Sequence, residues 1–406
     1  MKKILIINGE PFQDRTATGI TLKNIFNIIP KTDLRFIHIS KLYPDLEYLD
    51  NVFSYYKDTV ESKTSKSIPL ESKARRVTQN RIIEFAKKEL RNWDDLRKAR
   101  FSTKIKQYII ESEAQIIYSC LGSLKVISLV LQAQKILNCK VVPHFMDDWK
   151  SVIFSDKRFI FHKLRLKNQL YILFKNVVNG LAISESMTLQ YKKEFKIPFF
   201  FVMNSIPDEQ IKELILNDKH TTKKFLYTGG LHLNRWKSLL MLCEAFHVIG
   251  QEHRLSIDIY CPENDKDIFE NYFFKFNFIA FRGHVPSVKI NEILSEADVL
   301  IHCESFDNYT RKYTKLSIST KIPLYLKEGK IILAFGPEEI ESINYIKRND
   351  AGVAISVEEP NLLIKTLLKE VFVNNNISRI RMNALTLFKL NHSYSSIKKK
   401  LELAFN

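Results

Sequence analysis

The sequence predicts an α/β protein made of two Rossmann-like units, each a parallel sheet wrapped by helices. Short apolar runs alternate with longer helical patterns along most of the chain, as expected of strands buried on both faces and joined by crossover helices. The 406 residues exceed one ordinary domain core, so two units are expected. The strand pattern breaks at 204–222, where Pro207 precedes a polar, mixed-charge stretch before strands resume.

In the first unit the predicted strands are 3–8, 34–39, 114–119, 140–144, 180–183 and 199–202. In the second they are 224–228, 255–260, 276–281, 299–303, 330–335 and 352–355, with helices at 236–249 and 287–296 among them. Three helices close the chain, at 360–373, 378–389 and 393–404. The expected domains are 1–205 and 206–390, the final helix (390–406) packing back on the first. Residues 42–100 are charged and helix-like without clear strands, and read as an insertion in the first unit.

With 45% hydrophobic and 12% aromatic residues, wholesale disorder and fibrous architectures are excluded. The net charge, 62 − 45 = +17, points to an anionic partner. Nucleotide phosphates, lipid pyrophosphates, an anionic membrane and nucleic acid all qualify, and a lysine-rich codon bias would give the same excess without function. Nucleic acid ranks last, and no such partner is expected, because zinc spacing, an RNP-like aromatic string and a basic tail are all missing. The five cysteines, Cys120, Cys139, Cys243, Cys261 and Cys303, show no C-x-x-C spacing and read as reduced thiols. Asn8 and Glu10 interrupt the first apolar run, which reads as a strand rather than a signal peptide. No window approaches the roughly 18 apolar residues of a membrane span; a cytoplasmic chain is expected.

Ligands of open parallel sheets bind beyond the carboxyl ends of the strands. The first such loop runs from Gly9 to Gly19, where Gly19 lets backbone approach a ligand and a helix start offers N–H groups to an anion; a plain turn with a cap is the alternative. Neither G-x-G-x-x-G nor G-x-x-x-x-G-K-[ST] occurs. The loop His144-Phe145-Met146-Asp147-Asp148-Trp149 joins an imidazole to two carboxylates, suited to holding or deprotonating a sugar hydroxyl, although a capping histidine would look alike. An adjacent Asp pair is too few ligands for a metal.

In the second unit, Gly229-Gly230 clears space for a diphosphate, with Arg235 and Lys237 as cationic donors; a solvated basic turn is the alternative. Glu304 follows the strand 299–303, and Ser317-Ile318-Ser319-Thr320-Lys321 opens a helix whose hydroxyls and N–H groups could cradle phosphate or simply cap it. From Lys157 to Ser184 there is no acidic residue, and lysines and arginines alternate with Phe, Leu and Tyr. Such a helix can lie on anionic headgroups or bury its apolar face in the core.

Several strings carry a resemblance: Gly229-Gly230 with Arg235; Phe281-Arg282-Gly283-His284-Val285 followed by Ala297-Asp298-Val299-Leu300-Ile301; and Ser319-Thr320-Lys321-Ile322-Pro323-Leu324-Tyr325-Leu326 with Gly329-Lys330-Ile331-Ile332-Leu333-Ala334. They resemble the C-terminal half of GT-B glycosyltransferases, in particular the retaining enzymes of family 4 (glycosyl transferases group 1). Ile183-Ser184-Glu185-Ser186-Met187 and Asn204-Ser205-Ile206-Pro207 resemble the end of that family's first lobe.

The resemblance implies two Rossmann-like domains facing each other across a cleft, the first holding an acceptor and the second a nucleotide-sugar, most often UDP- or GDP-linked. It implies a hexosyltransferase working with retention, without metal or cofactor, on a saccharide or lipid-linked saccharide. A role in bacterial surface polysaccharide synthesis, with the basic surface held at the inner leaflet, fits this. The implied catalytic residues are His144, Asp148 and Glu304; the implied donor-binding residues are Gly19, Gly230, Arg235, Lys237, Ser319, Thr320 and Lys321. Counting back from Gly329 to the family's pair of glutamates leads to Leu324 and Leu316. That departure keeps two alternatives open: a nucleotide-sugar epimerase of the same fold, and a catalytically silent scaffold or sugar-binding protein.

Overall fold

The computed structural model describes residues 2–13, 16–41, 44–45, 52–55, 95–96, 99–155, 160–208, 222–286, 289–373 and 375–406. The chain divides into two compact units, Met1–Met203 with Lys398–Asn406, and Asn204–Ile397.

In the first unit, β1 (Ile4–Asn8) buries all five residues, and β2 (Leu34–His38) and β4 (Ile116–Ser119) flank it in parallel. With β3 (Val52–Ser54), β5 (Lys140–Phe145), β6 (Gly180–Ala182) and β7 (Phe199–Phe201), the order is β3-β2-β1-β4-β5-β6-β7. The winding reverses between β1 and β4. The helices are α1 (Ala17–Phe26), α2 (Thr103–Glu111), α3 (Leu124–Leu137), α4 (Trp149–Ser155), α5 (Ile160–Phe174) and α6 (Glu185–Phe195). Four start the same way: the hydroxyls of Thr16, Ser102, Ser123 and Ser184 accept from the amides of Gly19, Ile105, Val126 and Met187, satisfying donors that a helix start leaves unpaired.

In the second unit, β8 (Lys223–Thr228), β9 (Leu255–Tyr260), β10 (Ile279–Gly283), β11 (Val299–Cys303), β12 (Ile331–Phe335) and β13 (Val353–Ile355) are parallel, in the order β10-β9-β8-β11-β12-β13. Here the winding reverses between β8 and β11. The helices are α7 (Arg235–Ile249), α8 (Glu263–Phe269), α9 (Ile290–Ser295), α10 (Asn308–Thr314), α11 (Ile322–Glu328), α12 (Glu341–Arg348), α13 (Pro360–Leu367), α14 (Ile377–Asn391) and α15 (Tyr394–Phe405). Phe225 and Tyr227 of β8, Leu242 and Phe246 of α7 and Ile301 of β11 meet in the core. The last residues of α15 join the first unit, where Lys2 Nζ donates to the Phe405 carbonyl at 2.7 Å and the Lys400 ammonium lies 4.8 Å from the centre of the Phe201 ring.

Three expectations are corrected. Residues 42–100 contain a strand, β3, paired in parallel with β2; most of the rest of that stretch, including 56–94, lies outside the described residues. The strand expected at 276–281 is β10, Ile279–Gly283, because Phe276 closes a turn through its amide on the Phe273 carbonyl. The sequence presents 307–316 as a loop of extra residues between Glu304 and the next helix; it holds α10, capped by the Asp307 carboxylate on the amides of Tyr309 and Thr310. The junction residues 209–221, positions 287 and 288 of the helix expected at 287–296, and residues 156–159 of the basic segment lie outside the described residues. All five cysteines are free thiols, and among the described residues no helix is long and apolar enough to cross a membrane.

Candidate functional site

The crevice at a reversal of strand order is the favoured ligand position in an open parallel sheet. In the second unit it lies beyond the ends of β8 and β11. After Thr228 the chain enters Gly229 at φ 106°, a conformation open mainly to glycine. A Cβ there would also come within 3.0 Å of the Lys321 side chain, so this glycine lets Lys321 lie across the end of β8. The Tyr227 hydroxyl donates to the Gly230 carbonyl at 2.8 Å, and the Leu231 amide donates to Asp265 at 2.7 Å, fixing the turn. Leu233 and Asn234, both left-handed, then lead into α7, whose first residue is Arg235.

The Arg235 guanidinium meets Glu304, Nη2 to Oε1 at 3.3 Å and Nε to Oε2 at 3.4 Å. Glu304 follows β11 and is buried; its carbonyl accepts from Ser238 Oγ at 2.8 Å, and its carboxylate lies 3.1 Å from His302 Nε2. Burial alone would raise the carboxyl pKa, but Arg235 and His302 outweigh it and hold Glu304 down to about 2. It is a carboxylate at neutral pH and no proton donor. Burial lowers His302 despite the carboxylate beside it.

Lys321 completes the group. Its ammonium is buried, lies 4.3 Å from the centre of the Tyr227 ring, and has no hydrogen-bond partner among the described residues. Burial, reinforced by the Arg235 charge, pushes it down to about 7 against the partial support of Glu304. When protonated, it gives the cluster two cations against one carboxylate. A ring face and a distant carboxylate do not replace the water shell of an ammonium, so an anion at this crevice would gain a direct hydrogen bond. Tyr325 anchors α11 behind the site: its hydroxyl accepts from the Thr228 amide at 3.1 Å and donates to the Ile301 carbonyl at 3.3 Å.

The structure thus brings Gly230, Arg235, Glu304 and Lys321 together, with Tyr227, His302 and Tyr325 around them. Those last three were missed, since a tyrosine or histidine inside an apolar strand, as Tyr227 and His302 are, or a tyrosine on the buried side of a short helix, as Tyr325 is, reads as core. Lys237 is exposed, over the Trp236 ring at 5.7 Å. The expected cradle at 317–321 is corrected: α11 begins only at Ile322, the Ser319 amide donates to Ser342 Oγ at 3.0 Å, and the Thr320 carbonyl accepts from Asn204 at 3.3 Å. These groups tie the loop to the fold.

In the first unit, the Gly19 amide is taken by the cap Thr16 Oγ1 at 3.2 Å, and a Cβ on Gly19 would come within 2.6 Å of the Gln13 carbonyl. Close packing against Gln13 and the Pro11 carbonyl explains this glycine without a ligand. His144 is fully buried, Nδ1 2.6 Å from the Tyr118 hydroxyl and Nε2 3.0 Å from the Val202 carbonyl. A carbonyl only accepts, so Nε2 carries the proton and Nδ1 accepts from Tyr118. Burial pushes the imidazole down to about 4 despite the Val202 bond, leaving it neutral. The expected carboxylate partner does not set this tautomer: Asp148 accepts from the Tyr191 hydroxyl at 2.5 Å and lies 3.7 Å from Lys150 Nζ.

No protein-family model and no curated protein sequence matches the chain. Solved structures do. The crystal structure of Anabaena HepE in complex with UDP is 13% identical with a TM-score of 0.64, covering 99% of this chain and 98% of that one. Sucrose-phosphate synthase from Thermosynechococcus elongatus is 10% identical at 0.62, covering 100% and 98%. A glycosyltransferase from Rickettsia africae is 13% identical at 0.60, covering 99% and 97%. The chain has the GT-B fold. Within this GT-B chain, Arg235, Lys321 and the glycine turn all belong to the second parallel-sheet unit.

Proposed function

We propose that the protein is a glycosyltransferase whose second unit holds a nucleotide-sugar and whose first unit takes a saccharide or lipid-linked saccharide acceptor. Retention at the anomeric carbon, independence of metal and a place in bacterial surface polysaccharide synthesis at the cytoplasmic face of the membrane belong to the same proposal. The observation that carries it is the buried, unpartnered Lys321 ammonium beside Gly229-Gly230 and Arg235 at a strand-order reversal. It is supported by similar solved folds that bind UDP and UDP-glucose, which favours a uridine donor over a guanosine one.

In this mechanism Arg235 and Lys321 bind the diphosphate and stabilise the charge that grows on it as the bond to the anomeric carbon breaks. The acceptor hydroxyl attacks from the face of departure, and its proton passes to a leaving phosphate oxygen. Glu304 keeps Arg235 extended and charged, and so acts as a positioning residue. His144 and Asp148 enter as framework of the first unit, because their polar atoms are engaged there. Leu324, at the place of a family glutamate, favours a second reading in which donor binds without transfer.

Replacing Arg235 tests the proposal. Arg235→Lys keeps a cation beside buried Glu304 but loses the two-pronged guanidinium, and should lower transfer at least about tenfold with folding intact. Near-normal turnover in that variant would remove Arg235 from the donor site.

A further inference from the structure

Helix α5 is apolar on two faces. On one, His162, Leu166, Leu170 and Leu173 are buried, and the helix packs on α3. The Phe174 ring stacks on Phe195 with centres 3.8 Å apart, and His162 Nε2 lies 3.2 Å from Asp95. On the other face, Ile160, Phe161, Leu164, Tyr171 and Ile172 stand in solvent, with Phe161 82% exposed, Tyr171 64% and Leu164 59%. At one residue per 100° these side chains share one arc of about 120°, in two groups with exposed Lys167 and Asn168 between them.

Scattered exposed apolar residues are ordinary, but five large ones on one face of one helix mark an interaction surface. Charge identifies the occupant. Exposed Lys167 flanks the arc, exposed Lys175 stands just past the end of the helix, and half-buried Lys163 lies between Lys167 and the core face, while residues 160–184 contain no Asp or Glu. The Lys175 ammonium lies 4.5 Å from the centre of the Tyr171 ring, so cation and apolar surface are interleaved. A symmetric contact with a second copy would lay this basic stripe on itself without a counter-charge. A bilayer rich in anionic lipid supplies phosphates for the lysines and an acyl boundary for the aromatic and leucine side chains.

We propose that α5 is a docking face for an anionic membrane surface. Phe161, Leu164 and Tyr171 enter the headgroup region while Lys163, Lys167 and Lys175 meet lipid phosphates. The inner face stays in the core, so docking needs no unfolding. This assignment stands apart from the donor site, whose residues lie in the other unit.

The test is co-sedimentation of the full chain with phosphatidylcholine vesicles, with and without phosphatidylglycerol, at low and high salt. Binding is expected only with the anionic lipid, and it should fall as salt screens the lysines. Phe161→Ser with Leu164→Ser, and separately Lys167→Glu with Lys175→Glu, should each weaken it at least about tenfold with nucleotide binding unchanged. Failure to sediment with anionic vesicles at low salt overturns the proposal, as do variants that sediment like the parent. A concentration-dependent dimer abolished by the Phe161 and Leu164 changes also overturns it, in favour of a second copy on this face.

Discussion

An ammonium group buried without a hydrogen bond destabilises the fold that holds it, and Lys321 is such a group. Its pKa falls from an ordinary 10.5 to about 7 in the folded chain. Between those values the unfolded chain binds the extra proton, so this residue makes stability rise with pH across that window, by at most about 1.4 kcal/mol per pH unit. Lys321→Met should therefore raise the thermal midpoint at neutral pH and flatten the rise above it, as calorimetry across pH would show. A diphosphate would favour the charged form, so nucleotide affinity should fall as pH rises above about 7, by up to roughly tenfold per unit. Titration calorimetry in two buffers should show proton uptake on binding, and Lys321→Met should lose both the uptake and much of the affinity. Gly229 belongs to the same argument: Gly229→Ala would strain a φ of 106° and crowd Lys321, at roughly 1–3 kcal/mol of stability.

At the scale of elements, Tyr325 fastens α11 across the ends of β8 and β11. Tyr325→Phe leaves the buried Thr228 amide without that acceptor and should lower stability by roughly 1–3 kcal/mol, read by denaturant titration, while weakening nucleotide binding through a looser Lys321. The central strands were legible because burial on both faces makes them continuous apolar runs. β3 was not: it has three residues, none fully buried, within a charged stretch. α10, with the sequence NYTRKYT, lacks an apolar stripe and is marked chiefly by its Asp307 cap. The site was partly legible. Gly229-Gly230 and Arg235 stand together in the sequence, whereas Tyr325 meets Thr228 across 97 residues, a contact that only the fold creates. His144 misled for the converse reason: a histidine at a strand end looks the same whether it faces a ligand or a buried tyrosine.

For the molecule as a whole, two parallel sheets, each with one reversal of strand order, offer two equivalent crevices, yet the chemistry gathers in one. In the first unit the two groups the sequence singled out are engaged internally, the Gly19 amide on a cap and His144 on Tyr118 and Val202. The second leaves a cation in want of an anion. The net charge of +17 adds a general attraction for phosphate-bearing ligands, which salt should weaken. The measurement that tests this account most directly is a thermal-shift and hydrolysis screen of the full chain against UDP-, GDP-, dTDP- and CMP-sugars, with and without EDTA. The account predicts that a uridine-linked donor raises the thermal midpoint, that it is slowly hydrolysed, and that EDTA changes neither result. No shift with any donor would contradict it and leave Lys321 and Arg235 as parts of a silent scaffold.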